Sequence, residues 1–192
     1  MVKFIPQIIP NILVIEPKVH GDERGYFVER YRQNELEKAL GYKVNFVQDN
    51  ESKSSKGVLR GLHFQLAPHA QSKLVSVVKG EILDIAVDLR RGSPSFARHL
   101  AVKLSHNNKK QVFIPRGFAH GFVVLSDTAT IAYKVDNYYS PEHDCGLAFD
   151  DVDLNIDWQL SKQQLRLSDK DTKLPTFIEL KECFDYNNNY YE

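Results

Sequence analysis

Short apolar or alternating runs follow one another along this chain, with turn residues between them. They occupy residues 12–15, 26–31, 46–50, 59–65, 74–79, 81–89, 100–104, 111–114, 121–125 and 130–135. Gly21-Asp22, Lys79-Gly80, Gly92-Ser93-Pro94, Asn107-Asn108 and Ser126-Asp127 punctuate them. Many short strands with regular turns imply an all-β barrel or sandwich. The stretch from Glu81 to Arg90 is the clearest strand. Leu83, Ile85, Val87 and Leu89 alternate onto one face, and Asp84, Asp88 and Arg90 onto the other. In a barrel that polar face lines a pocket, whereas in an open sheet it meets water. Helix is sparse. Residues 34–41 read as one helix, with Asn34 as N-cap, Gly41 as the stop, and Leu36, Ala39 and Leu40 facing the barrel. A second short helix is expected within 161–165.

One stretch, Gly57-Val58-Leu59-Arg60-Gly61-Leu62-His63-Phe64-Gln65, resembles the metal motif of small cupin-type barrels. Gly57 is followed after five residues by His63, and Lys73 after six residues by Gly80. Pro115, Gly117 and His120 match the second half of that motif. Two metal ligands are replaced, however. Gln65 stands where a second His is usual, and Lys73 where a Glu is usual. An ammonium repels a divalent cation. The pattern therefore reads as a metal site rebuilt without metal, with the ammonium free to stabilise negative charge on a substrate oxygen. A metal-dependent cupin is the competing reading, and a non-enzymatic sugar-binding cupin a third.

Bulk properties narrow the classes. The chain has 192 residues, enough for one large domain. Lys plus Arg and Asp plus Glu number 25 each, which argues against a basic nucleic-acid surface. The first residues lack the apolar run of a secretory signal, and no stretch is long and apolar enough to span a membrane. A soluble cytoplasmic protein is expected, with Cys145 and Cys183 as reduced thiols outside any C-x-x-C pattern. The Tyr- and Asn-rich end, 185–192, reads as a flexible tail.

Several residues could carry chemistry. Arg60 and Lys73 lie near His63 in the pattern. Their charge should attract an anion and keep the imidazole neutral and basic. Tyr133 alternates with Ile131 and Val135, so it can point inward as a structural hydroxyl or as a proton donor. Read from its own surroundings, Asp171 is an exposed helix cap. Arg24 and Glu29 belong to a charged, solvated hairpin.

Taken together, the motifs resemble the dTDP-4-dehydrorhamnose 3,5-epimerases from about Val14 to Pro175. The match is carried by Gly21-Asp22-Glu23-Arg24-Gly25, Phe46-Val47-Gln48-Asp49-Asn50, Val58 through Gln65, Gln71 with Lys73-Leu74-Val75, Ile114 through Phe122, Tyr133-Lys134, Tyr138-Tyr139-Ser140-Pro141 and Leu167 through Asp171. The resemblance implies a mainly β fold, a cupin-type jelly-roll barrel with a few short peripheral helices, as one domain over 1–192. It implies 3,5-epimerisation of dTDP-4-dehydro-6-deoxy-D-glucose in dTDP-L-rhamnose synthesis, without cofactor or metal. His63 would be the base, Asp171 its orienting partner, Tyr133 the acid, and Lys73 the enolate stabiliser. Tyr139 would stack on thymine. Arg24, Glu29, Gln48, Asp49, Asn50, Arg60, His120, Asp144 and Lys170 would bind substrate. The family forms homodimers, with Arg24 and Glu29 reaching the neighbouring site. Asp144 departs from the more usual Glu, and Ala148-Phe149-Asp150-Asp151 from a Trp-Asn-Asp run. A C3-only epimerase or a 3,4-ketoisomerase of a dTDP-sugar is the runner-up.

Overall fold

The computed structural model describes residues 2–181 and 184–191. Cys183 lies outside the described residues. The strands are β1 (Lys3–Pro6), β2 (Leu13–Glu16), β3 (Val19–Asp22), β4 (Gly25–Val28), β5 (Gln48–Ser55), β6 (Leu59–Gln65), β7 (Lys73–Lys79) and β8 (Glu81–Asp88). They continue as β9 (Arg90–Arg91), β10 (His99–Ser105), β11 (Gln111–Ile114), β12 (Phe118–Val124), β13 (Thr128–Val135), β14 (Asp144–Gly146) and β15 (Phe184–Asp185). Among the described residues there is a single α-helix, α1 (Gln33–Leu40), which precedes β5.

Two antiparallel sheets face each other, a six-stranded one ordered β1-β2-β11-β7-β13-β5 and a five-stranded one ordered β10-β8-β12-β6-β14. This is the expected mainly β, jelly-roll architecture. Strand alternation divides the apolar residues into three layers. Val75, Val77, Ile82, Ala86, Val112, Phe122 and Ile131 pack between the sheets. Leu59, Leu62, Leu83, Ile85 and Val87 face outward, under Leu147, Leu154, Trp158 and Phe184 from the C-terminal part. Leu13, Ile15, Leu74 and Phe113 cover the outer face of the six-stranded sheet, together with Leu36 and Val44.

The alternation read in β8 is therefore real, and both of its faces are buried. Its apolar face lies under the C-terminal cover, and Asp84, only 2% exposed, points between the sheets. Asp88 and Arg90 form a buried ion pair at 2.8 Å, completed by Ser93 and Ser95 hydroxyls that donate to Asp88.

Three expectations are corrected. The N-cap of α1 is Arg32, in extended conformation and without a side-chain cap; Asn34 sits inside the first turn. Ala39 is exposed, so Leu36 is the helix residue driven into the core. The C-terminal segment is docked as far as the described residues run, to Tyr191. The Tyr191 hydroxyl bonds to Ser72 Oγ at 2.8 Å and accepts the Arg116 N–H at 3.1 Å, and the Tyr190 ring packs edge-on against Phe184. The helix stop is as read, with Gly41 left-handed and its N–H donating to Glu37. The short helix within 161–165 is a 3₁₀ turn, Lys162–Gln164, closed by a Ser161–Gln164 capping box.

Two glycine sites set the strand geometry. Gly80 turns β7 into β8 at φ +81°, and a Cβ there would lie 2.1 Å from the Thr128 carbonyl oxygen. A Cβ on Gly61 would lie 2.5 Å from Gly121 Cα, so β6 and β12 approach too closely there for any side chain. Gly80→Ala should therefore destabilise the fold by about 2 kcal/mol or more, through left-handed strain plus the clash. Chemical denaturation measures this, and a loss below about 0.5 kcal/mol, typical of a surface change, would contradict the tight turn.

Candidate functional site

The space between the sheets is not filled along its whole length. A cavity of about 520 Å³ opens where β6, β7, β12 and β13 meet, lined among others by Arg60, His63, Lys73, His120, Tyr133 and Asp171. A second, of about 210 Å³, continues from it and is lined by Gln48, Asn50, Gln71, Tyr139 and Asp144. His63, Lys73 and Tyr133 line both. Together the cavities make a groove with these three side chains at its middle.

Each middle residue reaches the groove by strand alternation. On β6 the period of two points His63 and Gln65 the same way. On β13, Tyr133 shares the interior face with Ile131. Lys73 opens β7 in the facing sheet, and its Nζ reaches across to donate to the His63 carbonyl at 3.4 Å.

Asp171 arrives from far along the chain. Residues after Gln164 run beside the start of β6, with Leu59 N–H donating to the Arg166 carbonyl and Arg166 N–H to Gly57. That alignment carries Asp171 to His63, and Oδ1 meets Nε2 at 2.6 Å. Asp171 is 4% exposed, and its other oxygen accepts the Ser168 hydroxyl at 2.8 Å. The exposed-cap reading of Asp171 is thus overturned: the carboxylate is buried against the His63 ring. An ionised carboxylate only accepts, so Nε2 carries the proton in the neutral ring and the other nitrogen keeps its lone pair.

The electrostatics favour a neutral imidazole beside a cation. Burial lowers the His63 pKa and the Lys73 charge lowers it further, while Asp171 opposes both. Lys73 keeps some surface toward the cavity, but its ammonium is surrounded by protein. Desolvation lowers its pKa to about 8, against the attraction of Asp84 and Asp144. The Tyr133 hydroxyl is pushed above its usual value by burial, with Arg60 acting the other way, so it is a proton donor at neutral pH.

The remaining predicted residues divide into two groups. His120 is buried, with Nε2 2.8 Å from Asp84 Oδ2. Arg60 donates to Ser54 at 3.2 Å at the mouth of the groove. Gln48 donates to Asn50 at 2.8 Å. Tyr139 donates its hydroxyl to Asp144 at 3.0 Å, and Lys170 forms an ion pair with the same carboxylate oxygen. Three residues do not enter this groove. The alternation that points Gln48 and Asn50 inward turns Asp49 outward, where it pairs with Lys134 at 2.7 Å. Arg24 is 85% exposed and pairs with Asp22, and Glu29 pairs with Arg32 at 2.6 Å.

Sequence reasoning missed Asp84, Ser168 and Ser52 as site residues. Asp84 was legible as the inward residue of β8, and Ser168 as the i−3 partner of Asp171. Ser52 continues the inward alternation of β5 into the larger cavity. The two substituted motif positions are occupied by Gln65, bonded to backbone, and by the Lys73 ammonium. Among the described residues no group of three or more His, Cys, Asp or Glu side chains could hold a metal. None of the described helices is long and apolar enough to cross a membrane.

A family model described as dTDP-4-dehydrorhamnose 3,5-epimerase matches residues 6–179. The enzyme of that name from Shigella flexneri is 53% identical over 171 residues, 89% of this chain and 93% of its own length. Its counterpart in Escherichia coli K12 is 52% identical over 172 residues, 90% of this chain and 92% of its own length. Among solved structures, the dTDP-6-deoxy-D-glucose-3,5-epimerase of Legionella pneumophila in complex with dTDP-4-keto-L-rhamnose superposes with a TM-score of 0.92. It is 46% identical, and the match covers 98% of this chain and all of that one.

The electrostatics predict how His63 titrates. Its ring protons, followed by NMR, should titrate below the ordinary ~6.5. In Asp171→Asn the pKa should fall further, because the carboxylate is what favours the imidazolium. An unchanged or higher value in that variant would contradict the coupling.

Proposed function

Because the chain belongs to the dTDP-4-dehydrorhamnose 3,5-epimerase family, we infer that its groove carries out that family's reaction with the residues gathered at its middle. The protein is an epimerase that converts dTDP-4-dehydro-6-deoxy-D-glucose to dTDP-4-dehydro-L-rhamnose. The observation that carries the residue assignment is the junction of the two cavities. There a buried-carboxylate-backed imidazole, a phenol and a desolvated ammonium share one space.

The chemistry follows from the substrate's ketone. C3 and C5 both neighbour the C4 carbonyl, so loss of a proton from either leaves an enolate whose charge rests on one oxygen. His63 takes the proton through its unprotonated ring nitrogen, and Asp171 stabilises the imidazolium that results. Lys73 stabilises the enolate oxygen, in a site where desolvation strengthens its field. Tyr133 returns a proton to the opposite face, which inverts the carbon. His63 then gives its proton to solvent and the Tyr133 phenolate takes one back, which resets base and acid, and the step repeats at the second carbon. Protons leave and return and no electrons are transferred, so the reaction balances without a redox partner.

The ends of the groove suit the rest of a nucleotide sugar. Arg60 offers a forked donor to the diphosphate. Tyr139 offers an exposed ring for thymine, beside Asp144 and Lys170. Gln48, Asn50 and His120 supply polar contacts along the groove. We assign Arg24 and Glu29 to the neighbouring site of a homodimer. Supporting this, their hairpin presents Tyr26 and Phe27, 60% and 69% exposed, an aromatic pair that a second copy would cover. One domain in a cytoplasmic homodimer completes the reading.

The direct test is NMR of the product formed from the 4-dehydro substrate in heavy water. Deuterium at both C3 and C5 is expected; label at C3 alone would indicate the C3-only epimerase. Tyr133→Phe should keep solvent exchange while net inversion falls about 10²–10⁴-fold, and undiminished inversion would remove Tyr133 from the acid role. The pH profile of kcat/KM should be bell-shaped. A depressed His63 keeps its basic form below the ordinary range, so the acid limb lies under ~6.5. A depressed Lys73 loses its charge as pH rises through about 8, which sets the alkaline limb. Full activity sustained to pH ~10, where free lysine titrates, would contradict the role of Lys73.

A further inference from the structure

The rings of Tyr138 and Tyr139 are 63% and 56% exposed, so their own packing cannot fix the segment that carries them. What fixes it is a side chain of β6. Gln65 is 4% exposed, and both of its amide hydrogens are used. Nε2 donates to the His69 carbonyl at 2.7 Å and to the Tyr138 carbonyl at 3.1 Å. Oε1 accepts the Ser140 N–H at 2.7 Å. One amide thus grips the backbone on both sides of Tyr139 and ties it to the loop after β6. Gln71, donating to the Asn137 carbonyl at 2.7 Å, holds the start of the same segment. Directly beyond it, β14 pairs with β6 and sets Asp144 opposite Gln65.

Only glutamine or asparagine offers two donors and an acceptor on one neutral group, and the shorter asparagine could not span both strands of contact. A neutral histidine, the usual residue at this place in a metal-binding barrel, has one donor. A glutamate has none when ionised. We propose that Gln65 is a positioning residue for nucleobase recognition: it holds the Tyr138–Ser140 segment at a fixed distance from His63, two residues away on the same strand face. The position that binds metal in related barrels here splints the nucleotide end of the groove to its catalytic centre. This rests on the assignment of Tyr139 to the thymine ring.

The test is a double-mutant cycle read by dTDP affinity and by steady-state kinetics. Gln65→Met keeps the volume and loses every hydrogen bond. Gln65→Glu keeps the acceptor and loses both donors, and carries the same cycle if the methionine variant does not fold. Either should raise the dTDP Kd and the substrate KM about five- to tenfold, the worth of roughly one hydrogen bond, with kcat changed less than about threefold. Combined with Tyr139→Ala, the loss should be less than additive, because both changes disable one contact. A loss in kcat at unchanged dTDP affinity, or full additivity with Tyr139→Ala, would overturn the proposal. No effect of Tyr139→Ala alone on dTDP affinity would instead overturn the stacking assignment beneath it.

Discussion

The Lys73 ammonium, held between two sheets beside His63, is the interaction on which the rest of the site depends. Burial of a lone cation is costly, and here it is only partly offset by Asp84 and Asp144, since the net shift is downward to about 8. With a pKa of about 8 the group remains mostly charged at pH 7. The protein therefore keeps a poorly solvated cation where developing negative charge can answer it. The same charge lowers the His63 pKa, while Asp171 raises it. The ammonium thus helps to keep the neighbouring imidazole neutral. In the proposed mechanism a single ammonium serves both epimerisations, because both reacting carbons share one ketone oxygen.

The fold explains why this arrangement can be held. Both faces of each large sheet are covered in part, by the C-terminal segment on one side and by the α1 region on the other. The central residues project from strands that are paired on both sides, and a strand interior is stiffer than a loop. Lys73 and Tyr133 come from one sheet, His63 and His120 from the other. By contrast, Tyr139 and Lys170 come from irregular segments at the edge of the groove. The centre is set by sheet register, and the end that carries Tyr139 by side-chain ties such as Gln65.

Much of the architecture was legible in strand alternation. The strands 59–65 and 111–114 were read at their observed bounds, and the interior positions of Tyr133 and Asp84 follow from the period of two. The same period, applied to β5, would have turned Asp49 away from Gln48 and Asn50; naming the three together hid this. Asp171 could not be found by local reading. It lies 108 residues from His63, and only the pairing of 166 with 57 and 59 brings the two together. Resemblance supplied what periodicity could not. The tail misled for a related reason: its composition is that of a solvated end, but Tyr191 finds Ser72 and Arg116 across the fold.

The account stands or falls on whether the ammonium acts on the enolate. The most direct measurement is the rate of solvent-deuterium exchange into C3 and C5 of bound substrate by Lys73→Met, set beside its affinity for dTDP. The account predicts exchange slowed about 10²–10³-fold, the usual cost of removing one preorganised stabiliser, with dTDP binding changed only a few fold. Exchange at the native rate, or a loss that appears wholly in dTDP binding, would contradict it.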